Sequence, residues 1–556
     1  MACSWGEIEP YYTELEGQAL DQDTVERFLA RWTALSALVQ EAYQRLLVAT
    51  TRDTADQEVA ARYSAFLESV YPASLAAEQR LKEKLLASGL TPAGFDVPLR
   101  VMREEDAIFR AENLPLLTQE ERLANRFNGI TGAQTVVWDG QDLPIDALQP
   151  IYGDPDRPTR ERAWRLEMGR RLVDRTTLND LWGEFLVGRR QLATNAGEPD
   201  YRAYRWRQLL RFDYTPDDCR AFHDAIEEVV VPVATRLYEE RRRRLGVPTL
   251  RPWDLHVDPE SRPPLRPFST DEQLQARTAE IFRKLDPQLG SYFDTMRAED
   301  LLDLPNRKNK APGGYCTYFA ARGRPFIFMN ATGTHQDVQT LLHEGGHAFH
   351  VFEAEARPYL QQRYPGAEFS EVASMGMELL AAPYLVEQRG GFYDAADAAR
   401  ARREHLEDAT ILFWPYMAVV DAFQHWAYTH ADEAADPAAC DQQWQALWRR
   451  FMPGVDWSNL EQEEMTGWQR KLHIFMYPFY YVEYGLAQLG AVGVWANARR
   501  DEAAAVASYR RALALGSTVS LPRLYAAAGV RFGFDAPTLR AAVQVVEETL
   551  AELSGA

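Results

Sequence analysis

Between Asp337 and about Glu353 the chain reads as one amphipathic helix, and what that helix carries constrains everything that packs around it. Within it runs HEGGHAFH, His343 to His350. A helix stacks residues four apart on one face, so His343 and His347 present two imidazoles together. Gly345 and Gly346 lie mid-helix, where each costs about 1 kcal/mol relative to alanine. A helix tolerates that cost where another backbone must pass close, so this turn is predicted to be buried against a neighbour.

Two imidazoles on one face can share a metal ion, and Glu344, one step round, can reach a water bound to it. Two nitrogen ligands with a carboxylate base are what metal-assisted hydrolysis requires. Zinc held by two histidines needs a third protein ligand and leaves one position open for water. The downstream candidates are Glu353, Glu355, Glu368, Glu371 and Glu378. Glu353 and Glu355 share the first helix and are too near to swing back. Glu371 opens the next apolar-periodic segment, FSEVASMGMELLAAPYL, with Ser374 and Glu378 on its face, whereas Glu368 reads as part of the preceding loop. A carboxylate from such a second helix completes a His-His-Glu set.

The rest of the chain is helical in pattern. Val25, Phe28, Leu29, Trp32, Leu35, Val39, Tyr43 and Leu46 recur at helical spacing, with Asp23 and Glu26 resembling a capping box. Further helices are predicted over Tyr63 to Leu90, Arg160 to Ala196, Pro216 to Leu245 and Thr270 to Leu289. Strand signals are few: a hairpin around Asp139-Gly140, and the pair Tyr315 to Phe319 and Pro325 to Met329 shortly before the histidine helix. PFIFM (325–329), as a sheet edge, could bind an extended peptide through its backbone. The Pro-rich stretch Val247 to Pro267 is predicted to be a surface loop.

A chain of 556 residues exceeds one simple core. A boundary is expected near residues 140–160, giving a helical N-terminal lobe, 1–150, and a catalytic region, 151–556. The net charge of −20 argues against a nucleic-acid surface, which needs a concentrated basic face. Cys3, Cys219, Cys316 and Cys440 lack any paired spacing, which excludes a disulfide scaffold. The N-terminus MACSWGEIEPYYTELEG has no secretion-signal pattern, and no apolar run is long enough to span a membrane. The expectation is a cytoplasmic protein without membrane or nucleic-acid partners; nothing in the sequence speaks to its oligomeric state.

HEGGHAFH followed by EFSEVASMGMELL resembles the oligoendopeptidase F branch of the thimet-oligopeptidase family of zinc metallopeptidases. The resemblance continues through DAFQHWAY (421–428), WQRKLHIFMYPFYYVEYGLAQLGA (468–491) and LALGSTVSLPRLYAAAGV near the C-terminus. It covers most of the chain from about residue 125, with only helical character matching before that. It implies an all-α, mainly helical, two-lobed zincin-like fold with a small β element beside the active-site helix. It also implies one zinc ion held by His343, His347 and Glu371, with Glu344 as general base. The same family places a histidine and two tyrosines over the metal, here His473, Tyr481 and Tyr484. The implied activity is cleavage of internal bonds in short peptides that enter a channel between lobes.

Other histidines carry less. His350 and His425 are expected to tune ligands or satisfy core hydrogen bonds, and Glu378 either orients an imidazole or pairs elsewhere. His223, His256, His335, His405 and His430 show no site signal. Tyr477 and Tyr480 read as packing residues. A carboxypeptidase of similar build would need a cationic clamp for the substrate terminus, and no such signature surrounds the motif. A metal-free peptide-binding scaffold would be expected to lose Glu344 or a ligand, and none is lost.

Overall fold

The structure, a computed structural model, describes residues 4–554; Cys3 lies outside the described residues. Helices carry the chain throughout, with two small sheets between them. The first five are α1 (Trp5–Gly17), α2 (Val25–Arg52), α3 (Gln57–Ala65), α4 (Tyr71–Ser88) and α5 (Asp96–Ile108). Their apolar faces close on a core of their own, with Phe28, Trp32, Leu81, Phe95 and Met102 buried together. The start of α2 differs from the predicted capping box. Thr24 is its N-cap in helical geometry, and Asp21 takes the N–H groups of Asp23 and Thr24 instead. The helix predicted over Tyr63 to Leu90 is α3 and α4 joined through a π-turn at Phe66–Val70.

Next come α6 (Leu114–Gly132) and the hairpin of β1 (Thr135–Trp138) and β2 (Gln141–Pro144). Both its turn residues have positive φ, 49° at Asp139 and 84° at Gly140, which suits an Asp-Gly hairpin. There follow α7 (Arg157–Val173), α8 (Arg175–Ala196), α9 (Tyr201–Gln208), α10 (Pro216–Val229), α11 (Val231–Leu245), α12 (Asp271–Leu285) and α13 (Pro287–Ala298). Three stretches predicted as continuous helices are therefore each two, broken at Asp174, Val230 and Asp286. Pro287 cannot continue the turn of α12, and Asp286 caps α13 by accepting from the N–H groups of Gln288 and Leu289. Pro232, at the start of α11, interrupts the run from α10 in the same way.

The Pro-rich stretch departs from the expected surface loop. Leu250, Trp253, Asp254 and Val257 are buried, and Asp254 pairs with Arg157 at 2.7 Å and Arg160 at 3.0 Å. Apolar anchors every three or four residues hold its middle against α7.

The second sheet contains β3 (Leu302–Pro305), β4 (Tyr315–Phe319) and β5 (Arg324–Ala331) in the order β3-β5-β4. PFIFM is thus the central strand, not the expected edge. It pairs parallel with β3 and antiparallel with β4, and its five residues are all buried. A continuous apolar run suits a strand covered on both faces. The edge is β4.

From β5 the chain enters α14 (His335–Ala354), then α15 (Ala367–Ala381), α16 (Ala395–Glu404), α17 (Phe413–Thr429), α18 (Pro437–Phe451), α19 (Glu461–Met465), α20 (Leu472–Phe475) and α21 (Tyr481–Ala498). The helices α22 (Glu502–Leu513), α23 (Leu521–Ala527) and α24 (Ala536–Ser554) finish it. Two large cores meet along α15. One gathers Trp182, Trp414, Phe423 and Trp468 with Leu379; the other gathers Phe282, Ile327, Leu341 and Phe349 with Val372 and Met377. The α15 helix packs between α14 and α21. Among the described residues, no helix is long and apolar enough to cross a membrane.

Candidate metal centre

α14 begins with a capping box in which Thr334 and Asp337 satisfy each other's backbone N–H groups. From that fixed start the helix aims His343 and His347 at α15. The close approach predicted from the paired glycines is present. A Cβ on Gly346 would lie 2.3 Å from the carbonyl oxygen of Ala373 and 2.6 Å from Cα of Ser374. At Gly345 the neighbour is the Phe282 ring, 2.7 Å away. Glycine thus lets the two helix backbones touch one residue before His347 and two residues after Glu371.

That contact brings three donor atoms together. Oε2 of Glu371 lies 3.5 Å from Nε2 of His343 and 3.8 Å from Nε2 of His347. The other carboxylates go elsewhere. Glu353 pairs with Arg510 and Glu355 with Arg363. Glu368 sits in the first turn of α15 rather than on a loop, and accepts from the Tyr214 hydroxyl at 2.7 Å. Glu378, two turns along the same face of α15 from Glu371, lies 2.7 Å from Nδ1 of His343, which leaves that ring's Nε2 facing Glu371. Nε2 of His405 stands 3.6 Å from the same carboxylate, a contact the sequence did not signal. Ser374 explains the E-x-x-S spacing: its hydroxyl lies 3.0 Å from Oε2 of Glu371 and fixes that side chain.

The electrostatics follow from burial. Burial opposes a charge on His343, yet Glu378, then Glu371 and Glu344, outweigh it and hold the ring up at about 9. Burial pushes Glu344 up to about 7, with His343 pulling the other way. The backbone of Cys316 pulls Glu344 back down as well, so the edge strand β4 runs past it. His347 is driven well below its ordinary value by burial and then by His343. Two imidazoles and three carboxylates, all largely buried, form a site short of positive charge. A divalent cation bound by nitrogen and oxygen donors fits that set.

The late aromatic segment lies against α15. The rings of His473 and Tyr481 are 4.8 Å apart, those of His473 and Tyr484 6.0 Å, and those of Tyr480 and Tyr484 5.2 Å. The Tyr480 hydroxyl donates to Oε1 of Glu371 at 3.3 Å, so this residue is not simply packing. Tyr480 lies one turn before Tyr484 and shares its face, but that spacing alone does not say which hydroxyl turns to Glu371. Burial raises the Tyr484 hydroxyl, and the charges of Glu371, Glu483 and Glu344 push it further up, which keeps it protonated. The Tyr481 oxygen accepts from Nζ of Lys471 at 2.8 Å. His473 is held neutral by burial and by Lys471, down at about 3. Tyr477 is 47% exposed and lies outside α21.

Several other histidines have partners of their own. His223 and His425 both face Asp421, at 2.9 Å and 3.3 Å, next to buried Cys219. His350 packs on Phe369, and His335 meets the Tyr393 hydroxyl at 2.7 Å.

Known proteins share this arrangement of elements. A solved structure of Pz peptidase A with an inhibitor superimposes with a TM-score of 0.89 at 26% identity, covering 99% of this chain and 98% of that one. An oligoendopeptidase F structure gives 0.87, also at 26% identity, covering 99% and 97%. The oligoendopeptidase F homolog of Mycoplasma pneumoniae is 28% identical over 262 residues, 44% of this chain; the match spans only 40% of that relative's length. Residues 152–544 match peptidase family M3, and with both histidines, Glu344 and Glu371 inside that span, the chain belongs to that family.

Proposed function

We propose that the protein is a zinc-dependent endopeptidase that hydrolyses internal bonds of short peptides. The observation that carries this reading is the convergence of Nε2 of His343, Nε2 of His347 and Oε2 of Glu371, with Glu344 beside them. These three side chains would hold one zinc ion. When bound, zinc supplies Lewis-acid polarisation of the scissile carbonyl and a more acidic water. Glu344 takes the proton of the attacking water and delivers it to the departing amine; burial tunes it toward neutrality, where it can do both. Glu378 and Ser374 keep His343 and Glu371 in place.

The oxygen that becomes negative needs donors fixed beforehand. Tyr484, which feels the charges of Glu371 and Glu344 and stays protonated, is such a donor on α21. His473 steadies the tyrosine rings as a neutral imidazole, and Tyr481, already accepting from Lys471, keeps its own proton free to donate. The edge strand β4 takes the role first expected of PFIFM, since it passes Glu344 and can pair with an extended peptide. The division into residues 1–150 and 151–556 belongs to the same proposal, with the first five helices as a wall of the peptide channel.

The test uses one unstructured peptide, with products read by mass spectrometry. Internal cuts that stop on adding a chelator and return with zinc support the reading. Glu344→Ala should keep the parent's metal content while losing nearly all turnover. Trimming from one end only, or parent-like turnover in Glu344→Ala, refutes it.

A further inference from the structure

The segment joining α20 to α21 is held by its backbone. Arg189 donates to the carbonyls of Ile474 (3.4 Å) and Phe475, Arg205 to that of Pro478 (3.3 Å), and Arg211 to that of Phe479. Phe479 has φ +65°, a left-handed conformation that a side chain with Cβ resists. Both polar groups of its residue are taken by buried side chains. Its N–H donates to Oε1 of Gln424 in α17, and its carbonyl accepts from Arg211, which also pairs with Glu483 at 2.6 Å. Gln424 and Arg211 are completely or almost completely buried. The ring of His425, next along α17, packs on the Phe479 ring at 5.2 Å. The DAFQHWAY segment, which contributes nothing to the metal set, thereby grips the residue from which α21 springs.

We propose that Gln424 and Arg211 are positioning residues: by clamping Phe479 in its left-handed conformation they set where Tyr480 and Tyr484 stand relative to Glu371. One residue after the clamp Tyr480 caps α21, and its hydroxyl meets Glu371. Relaxing Phe479 to an extended or right-handed conformation would turn the first turn of α21 and carry both hydroxyls off the site. The inference rests on the functional reading above.

The experiment compares Gln424→Met, which keeps length but removes the acceptor, with Gln424→Glu, which keeps an acceptor oxygen. Gln424→Met should lower kcat roughly 10- to 100-fold, the scale of a misplacement near 1 Å. KM and zinc content should hold, and Gln424→Glu should recover most of the lost turnover. In a chain already carrying Tyr480→Phe and Tyr484→Phe, Gln424→Met should cost little more, because it acts through those hydroxyls. The same loss in both backgrounds, or a loss falling on zinc content, overturns the inference alone. A silent Tyr480→Phe/Tyr484→Phe chain overturns the role given to those hydroxyls and the inference with it, whereas the reading as a zinc endopeptidase stands or falls on Glu344→Ala. If Gln424→Met does not fold, Gln424→Asn, one methylene short of the Phe479 N–H, replaces it; failure of both to fold assigns Gln424 to stability and also overturns the proposal.

Discussion

Gly346→Ala is the smallest change that separates the metal centre's geometry from its chemistry, since no donor atom is touched. The new Cβ would stand 2.3 Å from the Ala373 oxygen, 2.6 Å from Cα of Ser374 and 2.8 Å from the Ala373 carbonyl carbon. All three are backbone atoms in the middle of a helix, so none can rotate aside. To reach even 3.0 Å, α15 must retreat by about 0.7 Å, and overpacking of this kind costs roughly 1–3 kcal/mol. Alanine returns about 1 kcal/mol of helix propensity, so the net loss of stability should be only ~1 kcal/mol. The metal pays no such compensation. Ala373 is two residues from Glu371, and zinc accepts ligands only at about 2.0–2.2 Å. Opening the gap between Glu371 and the His pair should therefore weaken zinc binding by about 10- to 100-fold, the scale seen when a ligand's support is removed. Gly345→Ala is the control, because its neighbour is the Phe282 ring, a side chain able to pivot. Competition titration against a chromophoric chelator gives the affinities, and thermal melts of both variants give the stabilities. Parent-like zinc affinity in Gly346→Ala, or equal weakening in Gly345→Ala, would refute the claim that this contact sets the ligand geometry.

Two further outcomes are expected. Glu371→Ala should lose zinc on dialysis, whereas Glu368→Gln, which can still accept from Tyr214, should retain it; atomic emission decides, and the reverse pattern would move the third ligand to Glu368. Tyr484→Phe should lower kcat by about 10² to 10³-fold, or roughly 2.7–4 kcal/mol, with KM little changed. Tyr477→Phe, exposed and outside α21, should be nearly silent, and equal small effects in steady-state kinetics would return this helix to simple packing.

What was legible in the sequence was local. His343, Glu344 and His347 declare themselves by spacing on one helix, and Glu371 by its place at the head of the next apolar-periodic run. The paired glycines foretold a passing backbone, because a cost inside a helix points to a contact outside it. What failed depended on partners distant in the chain. PFIFM looked like an edge because β3, the four-residue LDLP, shows no alternation, and nothing local says that it pairs there. Apolar periodicity continues across Asp174, Val230 and Asp286, so the pattern predicts one helix where the chain forms two. The Tyr480 hydroxyl and the Lys471 contact with Tyr481 could not be assigned from pattern. Three tyrosines within five residues fix the ring positions, but which hydroxyl meets Glu371 depends on the backbone at Phe479.

The position of α15 between α14 and α21 bears on how a substrate can enter. One face of α15 carries Glu371 to the histidines and another receives the helix that begins with the tyrosines. The proposed ligands and hydroxyl donors are therefore tied through a single helix whose backbone touches α14 at Gly346. A hinge through this stack would tear the donor set apart, so breathing motions that admit and release peptides must pivot outside it. The first five helices, which have a core of their own although α2 also packs on β4, are the part proposed to move. Turnover can then be limited by gating while the chemical geometry stays the same in open and closed forms.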